Sequence, residues 1–370
     1  MSLKIGTVFS GIGAVEFALK RMDVKHEVVF ACDNGNIDID IDFDQELNNI
    51  RGMSTIIDKM TYVDNLYKKN TKRTNFVKRT YTENYEIIND LFFQDAKLLD
   101  GYDFRKKIDI LMGGTPCQSF SSIGSRGGLD DTRGTLFYDF VRLVNEIQPK
   151  VFIFENVYGL FTHDKGNTWK VMKKVFGNLN YHFNYEVLDA KDFGIPQGRR
   201  RVFVVGFLDG NECNKFKFPK GTELRYTMHD FLLDNVKYGN FQSVKGAIHL
   251  VKGGEEVEER YFLSEKLKKY VLSPGTKNFM HRDAKIDLPV ARAILSTQGN
   301  SHRSSVNNYV TSKGRIRALH PRESLRLMGF TDDFKVPVSV AQAYKQSGNS
   351  VVVDVLIHLL KNIFEVTSFE

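Results

Sequence analysis

A cysteine and a glutamate each stand just after a short apolar run, where the end of a strand would present a reactive side chain. Cys117 follows residues 108–112, which are apolar except for Asp109, and a Gly-Gly-Thr-Pro segment. Glu155 directly follows the apolar residues 151–154. A thiolate adds readily to electron-poor carbon when neighbouring amides or a cation lower its pKa. A carboxyl group at a buried strand end can have a raised pKa and hydrogen-bond a heterocycle. A packed thiol and a solvated strand-end carboxylate are the alternatives.

A cluster of arginines precedes another strand-like run. The segment Gln197-Gly198-Arg199-Arg200-Arg201 leads into the apolar residues 202–207. Alternate side chains of a strand share a face, so Arg199 and Arg201 point to the same side if that strand extends back. Two guanidinium groups on one side can bind a carboxylate, a phosphate or a base carbonyl. A plain basic strand edge is the alternative.

A glycine-containing turn follows the first apolar run, at Phe9-Ser10-Gly11-Ile12-Gly13. Glycines between a strand and a helix let the backbone approach a nucleotide-like ligand near the helix N-terminus. Asp33 stands about twenty residues later, where an acid can accept hydrogen bonds from ribose hydroxyls. The turn and Asp33 together indicate an adenosine-type cofactor, although the third glycine of the dinucleotide fingerprint is absent.

A mostly parallel sheet would bring these residues to one edge. Strand-like runs alternate with helical patterns, which predicts a Rossmann-like α/β fold with both sheet faces covered. Ligands collect at the carboxyl ends of such strands. The predicted strands are 3–9, 27–31, 108–112, 151–154, 185–188 and 202–207, and the predicted helices are 14–21, 137–145, 169–176, 321–328 and 351–363. This alternation is absent from residues 210–316, which predicts a smaller, irregular, β-rich domain there.

The charge distribution favours a polyanionic partner. The 370-residue chain has a formal net charge of +7 at pH 7. Residues 210–316 contain 18 Lys and Arg against 11 Asp and Glu, whereas the other residues contain 34 of each sign. The whole excess therefore lies in one segment, as expected of a segment that contacts phosphates. A solvated basic surface is the alternative.

Several classes of protein are disfavoured. The three cysteines, at positions 32, 117 and 213, have no metal-ligand spacing and form no disulfide framework, which is typical of a reducing cytoplasm. We find neither a signal peptide nor an apolar run long enough for a bilayer. The alternating Ile-Asp residues 37–44 lack the glycine and glutamate of a calcium loop. We predict a half-buried edge strand or a helix start there, and no metal site.

In their order along the chain, these segments resemble the motifs of the DNA cytosine-5 methyltransferases. Those enzymes transfer a methyl group from S-adenosylmethionine to carbon 5 of cytosine. The resemblance covers nearly the whole chain except about 35–91 and 210–316. The matching segments are Phe9-x-Gly11-x-Gly13, Pro116-Cys117-Gln118, Glu155-Asn156-Val157, Gln197-x-Arg199-x-Arg201, residues 317–323 and Gly348-Asn349-Ser350.

The resemblance implies roles for single residues. Cys117 would add to carbon 6 of a cytosine that is flipped out of the duplex. Glu155 would hold ring nitrogen 3 and the exocyclic amine, and Arg201 with Arg199 would contact the base or order the site. S-adenosylmethionine would be bound by Phe9, Ser10, Gly11, Ile12, Gly13, Asp33, Asn34, Asp95, Ala96, Pro116, Leu136, Asn349 and Ser350.

The resemblance also divides the chain into domains. Residues 1–209 and 317–370 would form the catalytic domain, with an insertion at about 35–91. The composition of residues 124–134, which are glycine-rich and charged, indicates a lid over the substrate, and a plain exposed loop is the alternative. Residues 210–316 would form the target-recognition domain. Its cluster 298–308 would read bases, and a plain polar loop is the alternative. The partner would be double-stranded DNA rather than a membrane. We expect a monomer in the bacterial cytoplasm, associated with the nucleoid, and a separate restriction endonuclease that cuts the same sequence.

Three departures from the family and three other functions stay open. Asp33 is one methylene shorter than the usual Glu, Asn34 replaces an apolar residue that packs on adenine, and Ala14 stands where the family often has another Gly. A transfer-RNA methyltransferase of this family carries Cys-Phe-Thr, which the sequence lacks. A catalytically inactive DNA-binding relative would not need both Cys117 and Glu155. A nicotinamide-dependent dehydrogenase would explain neither Cys117 nor the basic segment.

Overall fold

A seven-stranded, mostly parallel β-sheet forms the centre of the protein. The computed structural model describes residues 2–115, 136–235, 240–251, 254–273, 284–298 and 302–369. Pro116, Cys117 and the predicted lid at 124–134 lie outside the described residues.

The strands and helices largely follow the predicted order. The described strands are β1 (Leu3–Val8), β2 (His26–Cys32), β3 (Phe92–Phe93), β4 (Ile110–Gly113), β5 (Val151–Val157), β6 (His182–Asp189), β7 (Gln197–Gly198), β8 (Arg200–Phe207), β9 (Asn240–Val244), β10 (Ala247–Val251), β11 (Ala291–Arg292), β12 (Tyr309–Ser312) and β13 (Arg315–Ala318). The described helices are α1 (Ala14–Arg21), α2 (Phe43–Arg51), α3 (Ile56–Asn70), α4 (Phe76–Asn84), α5 (Leu136–Ile147), α6 (Asn167–Gly177), α7 (Gly210–Lys215), α8 (Glu265–Leu272), α9 (Pro321–Arg326), α10 (Val340–Asn349) and α11 (Val353–Val366). Within the described ranges, no helix is both long and apolar enough to cross a bilayer.

The central sheet has the strand order β3-β2-β1-β4-β5-β8-β6. Strands β3 to β5 in that order are parallel, whereas β8 runs antiparallel to both β5 and β6. Residues 151–154 of β5 are completely buried, so this strand is covered on both faces. A parallel strand in that position needs a continuous apolar run, which is what the sequence contains. The predicted α/β fold is confirmed.

A buried ion pair joins the two ends of the chain. Helix α1 packs against α11, and the Arg21 guanidinium donates to both carboxylate oxygens of Asp354, at 2.8 and 2.9 Å. Both side chains are almost completely buried. A bidentate arginine–carboxylate pair is a strong, directional contact, so it fixes α11 against the first helix.

The insertion after β2 consists of three helices with a small apolar cluster of its own. Ile37 and Ile39 are buried in this cluster, whereas the alternating residues Asp38 and Asp40 are exposed. Residues 37–42 form no strand, and Asp42 instead caps α2 by accepting a hydrogen bond from the backbone of the first turn. The helix-start prediction is confirmed and the edge-strand prediction is wrong, because the capping carboxylate satisfies free helix amides.

Residues 210–316 contain short elements that pack on the catalytic sheet. Helix α7 contacts β6 and β8, and β11 extends β7 in parallel. Strands β9 with β10 and β12 with β13 form antiparallel pairs. The buried Phe231, Phe241 and Ile294 belong to the same apolar cluster as the central sheet. The proposed border between two domains therefore stays a prediction.

Candidate active site

The Glu155 carboxyl group lies near the carboxyl end of β5, against the antiparallel strand β8. The strand register pairs Val157 with Arg201, and Arg201 Nε is 3.1 Å from Glu155 Oε1. Burial raises the pKa of Glu155, while Arg201 and then Arg199 act to lower it. Since burial has the largest effect, this carboxyl group holds a proton more readily than an exposed glutamate does. Such a group can donate a hydrogen bond to a ring nitrogen.

The chain leaving β4 passes directly beside this carboxyl group. A Cβ atom at Gly114 would lie 2.9 Å from Glu155 Oε2 and 3.1 Å from its carbonyl oxygen, so a side chain there would displace the carboxylate. The buried Asn156 donates to the Thr115 carbonyl at 3.0 Å and to its hydroxyl at 3.2 Å. Thr115 stands two residues before Cys117. Sequence reasoning gave Asn156 no role, although it is part of the Glu-Asn-Val segment.

Arg199 turns away from the carboxyl group and into the interior. It donates to the carbonyl oxygens of Ile294 at 2.8 Å, Gly348 at 3.0 Å and Ser350 at 2.7 Å. Strand β8 extends back only to Arg200, so Arg199 lies outside it and the face-sharing argument does not apply. Arg199 therefore orders the site by joining the Gly348–Ser350 segment to the residues after β11.

We expect Arg199→Ala to destabilise the protein by roughly 3 kcal/mol or more, because three buried carbonyl groups would lose a charged donor. Urea unfolding measures this change. Arg200→Ala is the matched control, since Arg200 is exposed and packs its guanidinium 4.2 Å from the centre of the Tyr158 ring. Equal losses for the two variants would refute the ordering role of Arg199.

The turn after β1 brings two strand ends together. Positive φ angles at Phe9 (53°), Gly11 (55°) and Gly13 (76°) produce a tight turn, and Gly13 precedes α1. The Gly11 amide donates to Asp33 Oδ2 at 2.9 Å, and the Gly35 amide donates to Asp33 Oδ1 at 2.8 Å. Among the described residues, only those next to Gly11 in the chain have an atom within 4 Å of the position that a Cβ at Gly11 would occupy. The backbone beside the Asp33 carboxylate is therefore open to a ligand.

A second carboxylate, Asp95, lies near Asp33. Asp95 Oδ1 accepts a hydrogen bond from the Lys97 amide at 2.9 Å, and Oδ2 accepts one from the Tyr67 hydroxyl at 2.7 Å. Burial raises the pKa of Asp33. The two amide donors lower this pKa, whereas the nearby Asp95 raises it. Two carboxylates at neighbouring strand ends can accept hydrogen bonds from ribose hydroxyls and from an exocyclic amine. An adenosyl group carries both kinds of donor, so the two carboxylates fit such a group.

The other described residues that were predicted to bind the cofactor have varied surroundings, and their role stays a prediction. Asn34 folds back to donate to the Ile37 carbonyl at 3.0 Å and to accept from the Asn36 amide at 2.9 Å, so it closes the turn into the insertion. Ser10 joins β1 to β2 by accepting from the Cys32 amide at 2.9 Å. Ile12, Ala96 and Ser350 are buried, Leu136 is half-buried at the start of α5, and Asn349 is exposed at the end of α10.

The predicted base-reading cluster 298–308 is mostly internal. Ser304 donates its hydroxyl proton to the Val271 carbonyl at 2.8 Å, and Asn308 pairs with the backbone of Arg292. Gln298 and Asn307 are also buried. The prediction is wrong for Ser304 and Asn308, because their side chains hydrogen-bond backbone groups of the fold. Of the described members, His302 is exposed and Arg303 is half-buried.

Comparison with known proteins decides the family. A family model described as C-5 cytosine-specific DNA methylase matches residues 48–365, which is most of the chain. The protein belongs to this family. The methylase is 38% identical over 262 residues to Type II methyltransferase M.HhaI of Haemophilus parahaemolyticus, a match that covers 71% of this chain and 77% of that protein. It is 34% identical over 308 residues to M.HpaII of Haemophilus parainfluenzae, covering 78% and 80%.

The fold of the methylase is also found in solved structures. The Dnmt2 methyltransferase of S. pombe superposes with a TM-score of 0.63 at 16% identity and covers 98% of both chains. At that identity the likeness concerns the fold alone. The family match confirms the predicted activity and cofactor: the methylase transfers a methyl group from S-adenosylmethionine to carbon 5 of cytosine in DNA.

Proposed function

We propose that this methylase modifies one specific sequence of duplex DNA through a covalent bond between Cys117 and carbon 6 of an extrahelical cytosine. The observation that carries the proposal is the Glu155 carboxyl group, which burial makes a weaker acid and which lies beside Gly114 on the way to Cys117. We also propose that it is the modification enzyme of a restriction-modification system. Its similarity to the Type II methyltransferases M.HhaI and M.HpaII supports this assignment.

In the proposed mechanism, two protein groups activate the ring from opposite positions. The Cys117 thiolate adds to carbon 6, and protonated Glu155 hydrogen-bonds ring nitrogen 3 as negative charge develops there. Arg201 holds the Glu155 carboxyl group in place. Carbon 5 thereby becomes nucleophilic. A thiol cannot reach carbon 6 inside a stacked duplex, so the cytosine must leave the helix first.

The second half of the reaction restores the aromatic ring. Bound S-adenosylmethionine supplies an electrophilic methyl group on its sulfonium. After carbon 5 is methylated, a base removes the proton from that carbon, the ring double bond forms again and the Cys117 thiolate leaves. In the cofactor site, Asp33 would accept hydrogen bonds from the ribose hydroxyls, and Asp95 would accept one from the adenine amino group. The turn at residues 9–13 supplies backbone amides.

Bisulfite sequencing of DNA from a host that expresses the methylase tests the proposal. We expect complete cytosine methylation within one short sequence and none elsewhere, with a Cys117→Ala strain as the control. Methylation of transfer RNA but not of duplex DNA would instead identify an RNA methyltransferase. A purified protein that shifts DNA but transfers no methyl group would be an inactive relative.

DNA affinity is expected to fall steeply with salt, because the basic excess lies in residues 210–316. If about six phosphates are contacted, Kd for the duplex should rise at least about 10³-fold between 50 and 200 mM salt. Fluorescence anisotropy with a labelled duplex measures this response. Binding of S-adenosylhomocysteine by the same preparation is the control and should change little. A flat response for DNA would contradict phosphate contacts.

The proposed enzyme acts as a monomer in the bacterial cytoplasm, at the nucleoid, beside a separate endonuclease of the same specificity. Analytical ultracentrifugation with and without duplex DNA tests the oligomeric state. Digestion of host DNA by lysate, with and without prior methylation, tests for the endonuclease.

A further inference from the structure

The insertion reaches three parts of the cofactor site. Near its end, the Tyr85 hydroxyl donates to the Gly13 carbonyl at 2.7 Å. Asn75, which caps α4, donates its side-chain amide to the Asp33 carbonyl at 2.7 Å. From α3, the Tyr67 hydroxyl donates to the Asp95 carboxylate at 2.7 Å. Of these three contacts, only the last reaches a side chain that we assign to the cofactor.

The position of the Tyr67 hydroxyl is fixed by packing. Tyr67 is 5% exposed and lies in the apolar cluster of the insertion, with Ile37 and Leu98 among its members. Its hydroxyl also interacts with the Asn34 side chain. Burial raises the pKa of Tyr67, so the hydroxyl keeps its proton and remains a donor. A packed phenol ring therefore holds one donor at a constant place beside Asp95.

The Asp95 carboxylate has acceptor capacity left. Its two oxygens offer about four acceptor sites, and the Lys97 amide and the Tyr67 hydroxyl each use one. A carboxylate held from two directions has little rotational freedom. Its remaining lone pairs thus point in fixed directions.

We propose that Tyr67 is a positioning residue for S-adenosylmethionine, which holds Asp95 so that its free lone pairs accept the adenine amino group. This inference rests on the proposed contact between Asp95 and adenine. It gives the insertion a function, since α3 carries Tyr67 into the catalytic domain. Tyr67 acts through Asp95 and makes the site selective for a purine with an exocyclic amine.

The charge state of Asp95 supports a distinctive pH response. Burial raises the pKa of Asp95, whereas the Tyr67 hydroxyl and the Lys97 amide lower it. Without the Tyr67 hydroxyl the pKa must rise further, so the carboxylate takes up a proton at a higher pH and loses acceptor capacity. The charged and titratable groups around it are Cys32, Asp33, Asp38, Tyr67, Lys97, Asp139 and Arg142.

Calorimetry with S-adenosylhomocysteine tests the proposal on the full-length protein without DNA. We expect Tyr67→Phe to weaken binding about tenfold at pH 7.5, and more at pH 6. Tyr62→Phe is the matched control, because Tyr62 also lies on α3 and donates to a carboxylate, that of Glu46, at 2.7 Å. This control should bind like the unmodified protein at both pH values.

An analogue with hydrogen in place of the adenine amino group separates positioning from general loosening. Tyr67→Phe should bind this analogue about as well as the unmodified protein does, so that selectivity for the amine is reduced. Equal weakening for both ligands, or no weakening, would overturn the proposal. Thermal unfolding without ligand checks that both tyrosine variants are folded.

A double variant tests whether Tyr67 acts through Asp95. If it does, Tyr67→Phe combined with Asp95→Asn should bind S-adenosylhomocysteine no more weakly than Asp95→Asn alone. Additive losses would contradict the proposal. The binding assay contains no DNA, so its outcome is independent of the methylated sequence. A failure of the proposed function would be seen only in the sequencing experiment.

Discussion

Replacing Cys117 with alanine is expected to lower methyl transfer by at least about 10⁴-fold, because removal of a covalent nucleophile leaves only binding and electrostatic contributions. Carbon 5 of cytosine is too weak a nucleophile without the bond at carbon 6. Cofactor binding should persist, because Cys117 belongs to the ring chemistry. Incorporation of a radiolabelled methyl group into duplex DNA measures the rate, and calorimetry measures the cofactor affinity.

The matched control for this change is Cys213→Ala. Cys213 is a buried thiol on α7, and its sulfur accepts a hydrogen bond from Asn184 at 3.4 Å. Its loss should change stability slightly and leave turnover almost unaffected. A duplex with 5-fluorocytosine at the target should trap the unmodified protein and Cys213→Ala as adducts on a denaturing gel, but not Cys117→Ala. An adduct with Cys117→Ala would place the nucleophile elsewhere.

Changing Glu155 to glutamine should lower kcat by about 10²- to 10⁴-fold. Glutamine keeps the size of the side chain and an oxygen for Arg201, but its amide is far too weak an acid to transfer a proton to ring nitrogen 3. Glu186→Gln is the control, since Glu186 is an exposed carboxylate on the neighbouring part of the sheet, in β6. A loss of activity in both variants would mean that the effect is not specific to the site.

The pH dependence of kcat/KM provides a second test of the role of Glu155. Burial raises the pKa of Glu155. The protonated form is therefore lost only as pH rises through this raised value, and kcat/KM of the unmodified enzyme should fall over that range. The glutamine variant has no such group, so its profile should lack this alkaline decrease. An unchanged profile would show that another group titrates.

The strands and the carboxyl group of the site could be predicted because each depends on local sequence. Residues 151–154 are apolar without interruption, which requires a strand that is buried on both faces. Glu155 directly follows this apolar run and lies within β5, which extends to Val157, so the candidate carboxyl group could be found from local sequence. The start of α1 could also be predicted from local sequence, because a glycine turn separates it from β1.

The contacts that sequence reasoning missed join residues far apart in the chain. The sequence around Tyr67 does not indicate that its hydroxyl contacts Asp95, because α4 and β3 lie between the two residues in the chain. Arg199 was placed with Arg201 by strand alternation, but the strand begins after it. Polar residues such as Ser304 and Asn308 look like surface residues in composition. They are internal because each satisfies a backbone group.

The pairing of Arg21 with Asp354 has a consequence for how the enzyme is made. A guanidinium group that is buried without its carboxylate is strongly destabilising, and here the partner is synthesised 333 residues later. The first helix is therefore fully stabilised on the sheet only when the last helix is in place. A nascent chain that ends before Asp354 leaves Arg21 without this partner and should be less stable than the full chain by about 3–5 kcal/mol.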